Sequence, residues 1–377
     1  MTPHSVQEVL PTTPRFGQEQ FVFMLCQHGV EPLIKARWLG GPHDFRLAFS
    51  RPGLLTFKIG ADETNSPPTR EAAVAVPEDW NIRQSGLALG QVRGSDAAEL
   101  LQQTFELCGG DWDSVHVFER DRGLPGIRGF EAGSSELARE ITRAVGEKFQ
   151  QEGFSPRLGS DAEYGHRVLD VVLIAPDHWL LGHHFVRQTH QRWPGGAYAV
   201  AAPEPMVSRA YLKMAEALAW SGFPLEAGDE IVEIGSAPGG SCQRLLDLGL
   251  RVTGIDPAEM DPLLLANPRF QHWRGKSSAI RRKRYAAFRW LAADASVVPQ
   301  YTLDCVEDIV NYPTSRIEGL LLTLKFSSYD LAAPMSDYLA RIRSWGYDRV
   351  EVRQLATNRQ ECTVAAQRTP RDGQNLA

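Results

Sequence analysis

The apolar residues of this chain fall in short runs whose spacing changes character along its length. From Gln20 the run Q-F-V-F-M-L-C reads as a buried strand. R-L-A-F-S at 46–50 and L-L-T-F-K at 54–58 read as two more, turning about Arg51-Pro52-Gly53. The consecutive prolines of Asn65-Ser66-Pro67-Pro68 remove donors and fix φ, so they mark a loop, and a domain edge is expected near residue 80. Ser95-Asp96 before A-A-E-L-L-Q-Q-T-F-E-L-C predicts a capped helix, and Ser134 to Phe149 repeats the pattern. S-V-H-V-F-E at 114–119 and H-R-V-L-D-V-V-L-I-A at 166–175 are the strands that alternate with them. Two α+β units are therefore expected, at 1–80 and 81–200, the first opening on a loose proline-bearing leader.

Trp193-Pro194-Gly195-Gly196 breaks this pattern, and Ser208 opens a strong helix, S-R-A-Y-L-K-M-A-E-A-L-A-W. Beyond residue 225 strands and helices alternate. D-E-I-V-E-I-G at 229–235 is a strand, G-G-S-C-Q-R-L-L-D-L-G-L at 239–250 a helix, and R-V-T-G-I-D at 251–256 a second strand. D-C-V-E-D-I-V, G-L-L-L-T-L-K at 319–325, a long helix to Trp345 and the pair D-R-V-E-V-R-Q-L and C-T-V-A-A follow. That alternation predicts an α/β domain over 201–377 with an open, mostly parallel sheet, whose ligands bind at the carboxyl ends of the strands. The last dozen residues read as a frayed tail.

Composition narrows the class without naming a chemistry. With 377 residues, 43% hydrophobic and 23% charged, the chain reads as an ordinary soluble protein of two or three domains. Five scattered cysteines with no C-x-x-C pair argue against a disulfide framework or thiolate zinc site. Neither a secretory signal nor a membrane-spanning run is visible, and a cytoplasmic location is expected. The net charge of −6 gives no global sign of a polyanionic partner, so local charge matters more.

The chemistry concentrates where the first strand of the α/β domain ends, in E-I-G-S-A-P-G-G from Glu233 to Gly240. Gly235, Gly239 and Gly240 let a ligand approach the backbone, and the following helix start offers free amides. The turn is neither G-x-G-x-x-G nor a P-loop, which disfavours dinucleotide phosphates and ATP hydrolysis. Asp256 closes the second strand, where a carboxylate can accept both hydroxyls of a ribose. Lys213, Asp294, Lys325 and Glu361 also fall at element ends that such a sheet would bring to one rim.

The set Lys213, Asp294, Lys325 and Glu361, with G-S-A-P-G-G, resembles the FtsJ-type ribose 2′-O-methyltransferases. S-R-A-Y-L-K, the Pro-Gly-Gly turn and N-R-Q-E-C-T-V are similar, more narrowly, to the bacterial RlmM-like enzymes, over 205–365. The resemblance implies a Rossmann-like domain using S-adenosyl-L-methionine (SAM), no metal, and 2′-O-methylation of a cytidine in large-subunit (23S) ribosomal RNA. It also implies a THUMP-like RNA-binding domain ahead of the catalytic one, here the 81–200 unit. By position, Lys325 matches the general base and Lys213, Asp294 and Glu361 complete the catalytic four. Ser208, Gly235, Ser236, Ala237, Pro238, Gly239, Gly240, Asp256 and Asp294 match the cofactor side. A hydroxyl is a poor nucleophile, and a second ammonium beside a lysine helps it act as base by repulsion, an effect that nearby carboxylates oppose.

This chain departs from the family after Pro-Gly-Gly, where Ser241 and Cys242 stand in place of an aromatic. Lys276 stands near the expected adenine-side acid, and Phe326-Ser327-Ser328 replaces Leu-Pro-Met after Lys325. The departures at Ser241 and Lys276 motivate an alternative reading, a catalytically silent RNA-binding or ribosome-assembly factor; a small-molecule O-methyltransferase is a third. Between Pro262 and Ala293 lie eight basic residues, Arg269, Arg274, Lys276, Arg281, Arg282, Lys283, Arg284 and Arg289, and no acidic one. His272, Trp273, Tyr285, Phe288 and Trp290 are interleaved, a composition suited to phosphates and stacked bases or to a solvated face. His183, His184 and His190 lack partners at metal-ligand spacing and are expected in strand and loop roles; Cys242 is expected to be a small structural residue.

Overall fold

The computed structural model describes residues 20–39, 45–59, 79–133, 135–159 and 161–369; the leader, the 65–68 break and the last eight residues lie outside them. The chain divides into two compact units, Met1–Ala199 and Val200–Ala377. Among the described residues no helix is long and apolar enough to cross a membrane.

The first unit runs β1 (Phe21–Cys26), α1 (Glu31–Trp38), β2 (Arg46–Arg51), β3 (Leu54–Lys58), β4 (Ile82–Arg93), α2 (Ala97–Cys108), β5 (Ser114–Glu119), α3 (Glu136–Gln151), β6 (Arg157–Leu158), β7 (Arg167–Ala175) and β8 (His178–Phe185). Its strands form one eight-stranded sheet in the order β2-β3-β1-β4-β8-β7-β5-β6. The sheet corrects the expected edge near residue 80: β1 pairs with β3 on one side and β4 on the other, so strands from both sides of that position share one sheet. Close backbone approach makes this possible. A Cβ on Gly86 or Gly182 would lie 2.7 or 2.6 Å from the ring of Phe23, so two glycines on adjacent strands make room for that buried ring. Asp96 and Ser135 cap α2 and α3 by accepting from Glu99 N and Ala138 N. The two helices cover a core that includes Leu100, Val145, Val117, Leu169 and Trp179.

The second unit runs α4 (Ala210–Ser221), β9 (Glu230–Ile234), α5 (Gly240–Asp247), β10 (Arg251–Asp256), α6 (Pro262–Leu265), β11 (Phe270–Arg274), β12 (Trp290–Ala293), α7 (Pro299–Val310), β13 (Gly319–Lys325), α8 (Met335–Ser344), β14 (Arg349–Arg353) and β15 (Glu361–Gln367). The sheet order is β11-β10-β9-β12-β13-β15-β14, parallel from β11 to β13, with β15 antiparallel to both of its neighbours. The order reverses at β9 and β12, which pair side by side. A cleft opens outside the carboxyl ends of strands at such a reversal. Because β15 runs the other way, its first residue meets the last residue of β13: Lys325 stands opposite Glu361.

Candidate active site

At the end of β9 the chain must turn sharply into α5. Gly235 takes φ +79°, and a Cβ there would lie 2.7 Å from Ala295 Cα and 2.9 Å from Asp294 O, so β9 can approach the β12 loop only with glycine. Gly240 is tighter: its Cβ would meet Ser208 Oγ at 2.2 Å and Tyr211 N at 2.9 Å, where α5 begins beside α4. Asp256, at the end of β10, is fixed by two backbone donors, Ala237 N to Oδ2 (3.2 Å) and Ala258 N to Oδ1 (2.8 Å). Between these elements lies a cavity of about 630 Å³, within the size range of small-molecule and cofactor sites.

Beside the cavity four charged side chains form a chain of ion pairs, of which Asp294 and Lys325 line it and Lys213 and Glu361 stand behind them. Lys213 Nζ, from α4, lies 2.6 Å from Asp294 Oδ2 and 2.9 Å from Glu361 Oε1. Lys325 Nζ lies 2.9 Å from the other Asp294 oxygen, Oδ1, and 3.4 Å from Ser296 Oγ. Asp294 thus bridges the two ammonium groups. Burial works against charge on Lys213, but Asp294 and Glu361 outweigh it and hold its ammonium above the usual lysine range. Burial likewise opposes charge on Asp294, and the two lysines overcome it, holding the carboxyl below its ordinary value. Beneath them Glu233 is fully buried; desolvation, reinforced by the nearby Asp294 charge, pushes it up to about 8 although Cys242 Sγ donates to it at 2.8 Å. Cys242 is itself buried and its thiol is pushed up, first by desolvation and then by Glu233, which fits a structural role.

Of the residues expected on the cofactor side, Ser208, Gly235, Ser236, Ala237, Gly240, Asp256 and Asp294 line the cavity, as does Lys325. Pro238 and Gly239 do not; Gly239 turns at φ +121° against Leu264 and Met260 and shapes the loop from behind. Lys276 also lines it, with Ser277 and Ser278. Sequence reasoning missed the wall supplied by α7, Tyr301, Thr302, Cys305 and Val306, because those positions read only as one amphipathic helix face.

The basic segment divides. Arg289 is paired with Asp229 and Glu318, Arg282 with Asp308 and Arg274 with Glu259. Arg284 lies 3.7 Å over the ring of Trp273. Arg269, Lys276, Arg281 and Lys283 are exposed, and among the described residues no ion pair engages them. The expectation that the interleaved aromatics offer stacking faces needs correction: Tyr285, Phe288 and Trp290 are buried, packing the underside of the segment.

Comparison with known proteins bears on the region around this cavity. Residues 206–281 match the family described as FtsJ-like methyltransferase. That stretch holds Ser208, Lys213, the glycine turn and Asp256; Asp294, Lys325 and Glu361 lie beyond it. A protein of Halorhodospira halophila named ribosomal RNA large subunit methyltransferase M is 30% identical over 179 residues, 47% of this chain and 51% of that protein. Its namesake from Aromatoleum aromaticum is 27% identical over 229 residues, 55% of this chain and 61% of its own. A third, from Marinobacter nauticus, is 33% identical over 118 residues, 29% of this chain and 32% of its own. The chain thus matches about half the length, or less, of most of these relatives. The resemblance to FtsJ-type, RlmM-like methyltransferases read from the motifs is borne out.

Proposed function

We propose that this chain is a SAM-dependent methyltransferase that modifies a ribose 2′-hydroxyl in RNA, a cytidine of large-subunit (23S) ribosomal RNA, in the cytoplasm. The observation that carries the reading is the Lys213-Asp294-Lys325-Glu361 ion-pair chain, whose Asp294 and Lys325 line a cavity built on a glycine turn. The first unit, in this reading, is the RNA-delivering part and its 81–200 region the THUMP-like one.

The residues present fit the cofactor. Ser208 Oγ lines the cavity, is buried and has no hydrogen-bond partner among the described residues, and the Gly235 and Gly240 positions have no room for a side chain. Each Asp256 oxygen keeps a lone pair free of its backbone donor, suited to a vicinal diol. SAM, when bound there, would supply an electrophilic methyl on a sulfonium sulfur, and a neutral thioether would be the leaving group. As general base, Lys325 Nζ would first have to give up a proton to become a neutral amine, and would then take the 2′-hydroxyl proton as the hydroxyl oxygen bonds the methyl carbon and that carbon's bond to sulfur breaks. Asp294 touches Lys325 and holds it in line, while Lys213 and Glu361 are positioning residues. Lys213 stays an ammonium, and its charge offsets part of the hold that Asp294 would otherwise have on Lys325. Most of the rate gain comes from orienting hydroxyl and methyl rather than from base strength.

Labelled methyl transfer to ribosomal RNA lacking its native modifications, mapped by nuclease digestion and mass, tests the reading. The expected result is a ribose-linked methyl with the wild type, loss of at least about 100-fold with Lys325→Ala, and SAM affinity nearly unchanged. Equal loss of binding and transfer would remove Lys325 from the role of base. A wild type that binds RNA but no SAM would point instead to a silent RNA-binding factor.

A further inference from the structure

We propose that the first unit carries a divalent transition-metal site, of the zinc class, formed by His116, Asp170 and His184. The three are far apart in sequence, and only sheet register assembles them. His116 on β5 stands directly opposite Asp170 on β7. His184 on β8 stands opposite Val168, two residues along from Asp170 and therefore on the same face. His183, its sequence neighbour, points to the other face, against Trp112.

The cluster is buried on all sides, with Asp170 and His116 at 0% exposure and His184 at 5%. One donor atom from each of the three lies within 4.8 Å of the others. His184 Nε2 is 2.9 Å from the carbonyl of Gln191, which can only accept, so that nitrogen carries a hydrogen. Nδ1 then faces Asp170 Oδ2 at 2.5 Å. A neutral ring would aim a lone pair at a carboxylate there, so a cation must stand between them: a proton or a metal ion. The second Asp170 oxygen, Oδ1, decides between the two. It is buried without a hydrogen-bond partner among the described residues, and a proton on His184 leaves it unsatisfied.

Two imidazoles and a carboxylate suit zinc, and a ligating histidine usually donates its other N–H to a carbonyl, as His184 does to Gln191. Ligand atoms around a tetrahedral ion at 2.0–2.2 Å stand about 3.3 Å apart, so the 2.5 Å contact opens and the wider separations close as the ion enters. Three protein ligands leave one position for a water. Such a site would pin β5, β7 and β8 to the turn over Thr189–Arg192 that carries the Gln191 carbonyl.

Metal-stripped, tag-free, full-length protein titrated with Co²⁺ and then with competing Zn²⁺ tests this. The expected result is one cobalt per chain with the visible ligand-field absorption of a tetrahedral site, displaced by zinc, and a rise in melting temperature. His116→Gln and Asp170→Asn should each weaken binding by about 100-fold or more, beyond the loss seen for outer-shell partners. A wild-type chain that is folded by circular dichroism yet takes up neither metal at micromolar concentration overturns the proposal whatever the variants do. Uptake that both substitutions leave unchanged overturns it equally.

Discussion

Among single residues, Glu233 makes the sharpest prediction because it is a buried carboxyl with no ion-pair partner among the described residues. Its folded pKa, about 8, lies above the unfolded value of about 4.3, so the folded form holds a proton that the unfolded chain releases as pH rises. The cost of burial therefore grows from about pH 4 to about pH 8 and then levels, reaching on the order of 5 kcal/mol. Glu233→Gln keeps the shape and removes the titration. Its melting temperature should exceed that of the wild type increasingly from pH 5 to pH 8; a constant difference would mean that Glu233 is ionised throughout. Lys213 and Asp294 behave oppositely. Asp294, with its folded pKa lowered, stabilises fully above about pH 4 and loses this as pH falls through the folded value. Lys213, with its folded pKa raised, stabilises fully below about pH 10 and loses this as pH rises through the folded value. Across the neutral range that pair is constant, and Glu233 is the nearby group that changes.

At the scale of elements, the turn from β9 into α5 is the part least tolerant of change. Gly235→Ala combines a positive φ with a Cβ lodged against the backbone of Ala295, on the loop after β12, and close to Asp294 O. Left-handed strain alone costs about 1–2 kcal/mol, and the close backbone contact adds to it. The variant should melt lower and bind SAM more weakly, read by calorimetry; unchanged affinity would mean that the cavity floor is not the cofactor's resting place. The same elements show what a sequence can disclose. β9, β10 and β13 are short apolar runs ending in Gly235, Asp256 and Lys325, and their ends already point to one rim. β4 stays hidden because I-R-Q-S-G-L-A-L-G-Q-V-R lacks alternation and carries two glycines, and both edges of that strand are satisfied only through pairing with β1 and β8. Nothing local marks α7 as a cavity wall, since Tyr301 and Cys305 acquire that role only when α7 packs beside β13.

For the molecule as a whole, a net charge of −6 would disfavour RNA unless positive charge is concentrated where RNA is held. The segment between α6 and β12 supplies such a place, because Arg281 and Lys283 are exposed and engaged in no ion pair among the described residues, while buried Tyr285 and Phe288 anchor their turn from below. Partly paired arginines such as Arg289 offer less, since binding a phosphate there would first have to break contacts with Asp229 and Glu318. If phosphates meet the free pair, their counterions are released on binding, and affinity falls linearly with salt on logarithmic axes, by about 0.7 per contact on single strands. Replacing Arg281 and Lys283 together by alanine should therefore reduce the magnitude of that slope by about 1–2 and weaken binding at low salt, with little change in melting temperature. A slope identical to that of the wild type would move the RNA path off this segment while leaving the cavity chemistry intact. A slope near zero in both proteins would remove RNA as the substrate and favour a small-molecule acceptor for the same methyl group.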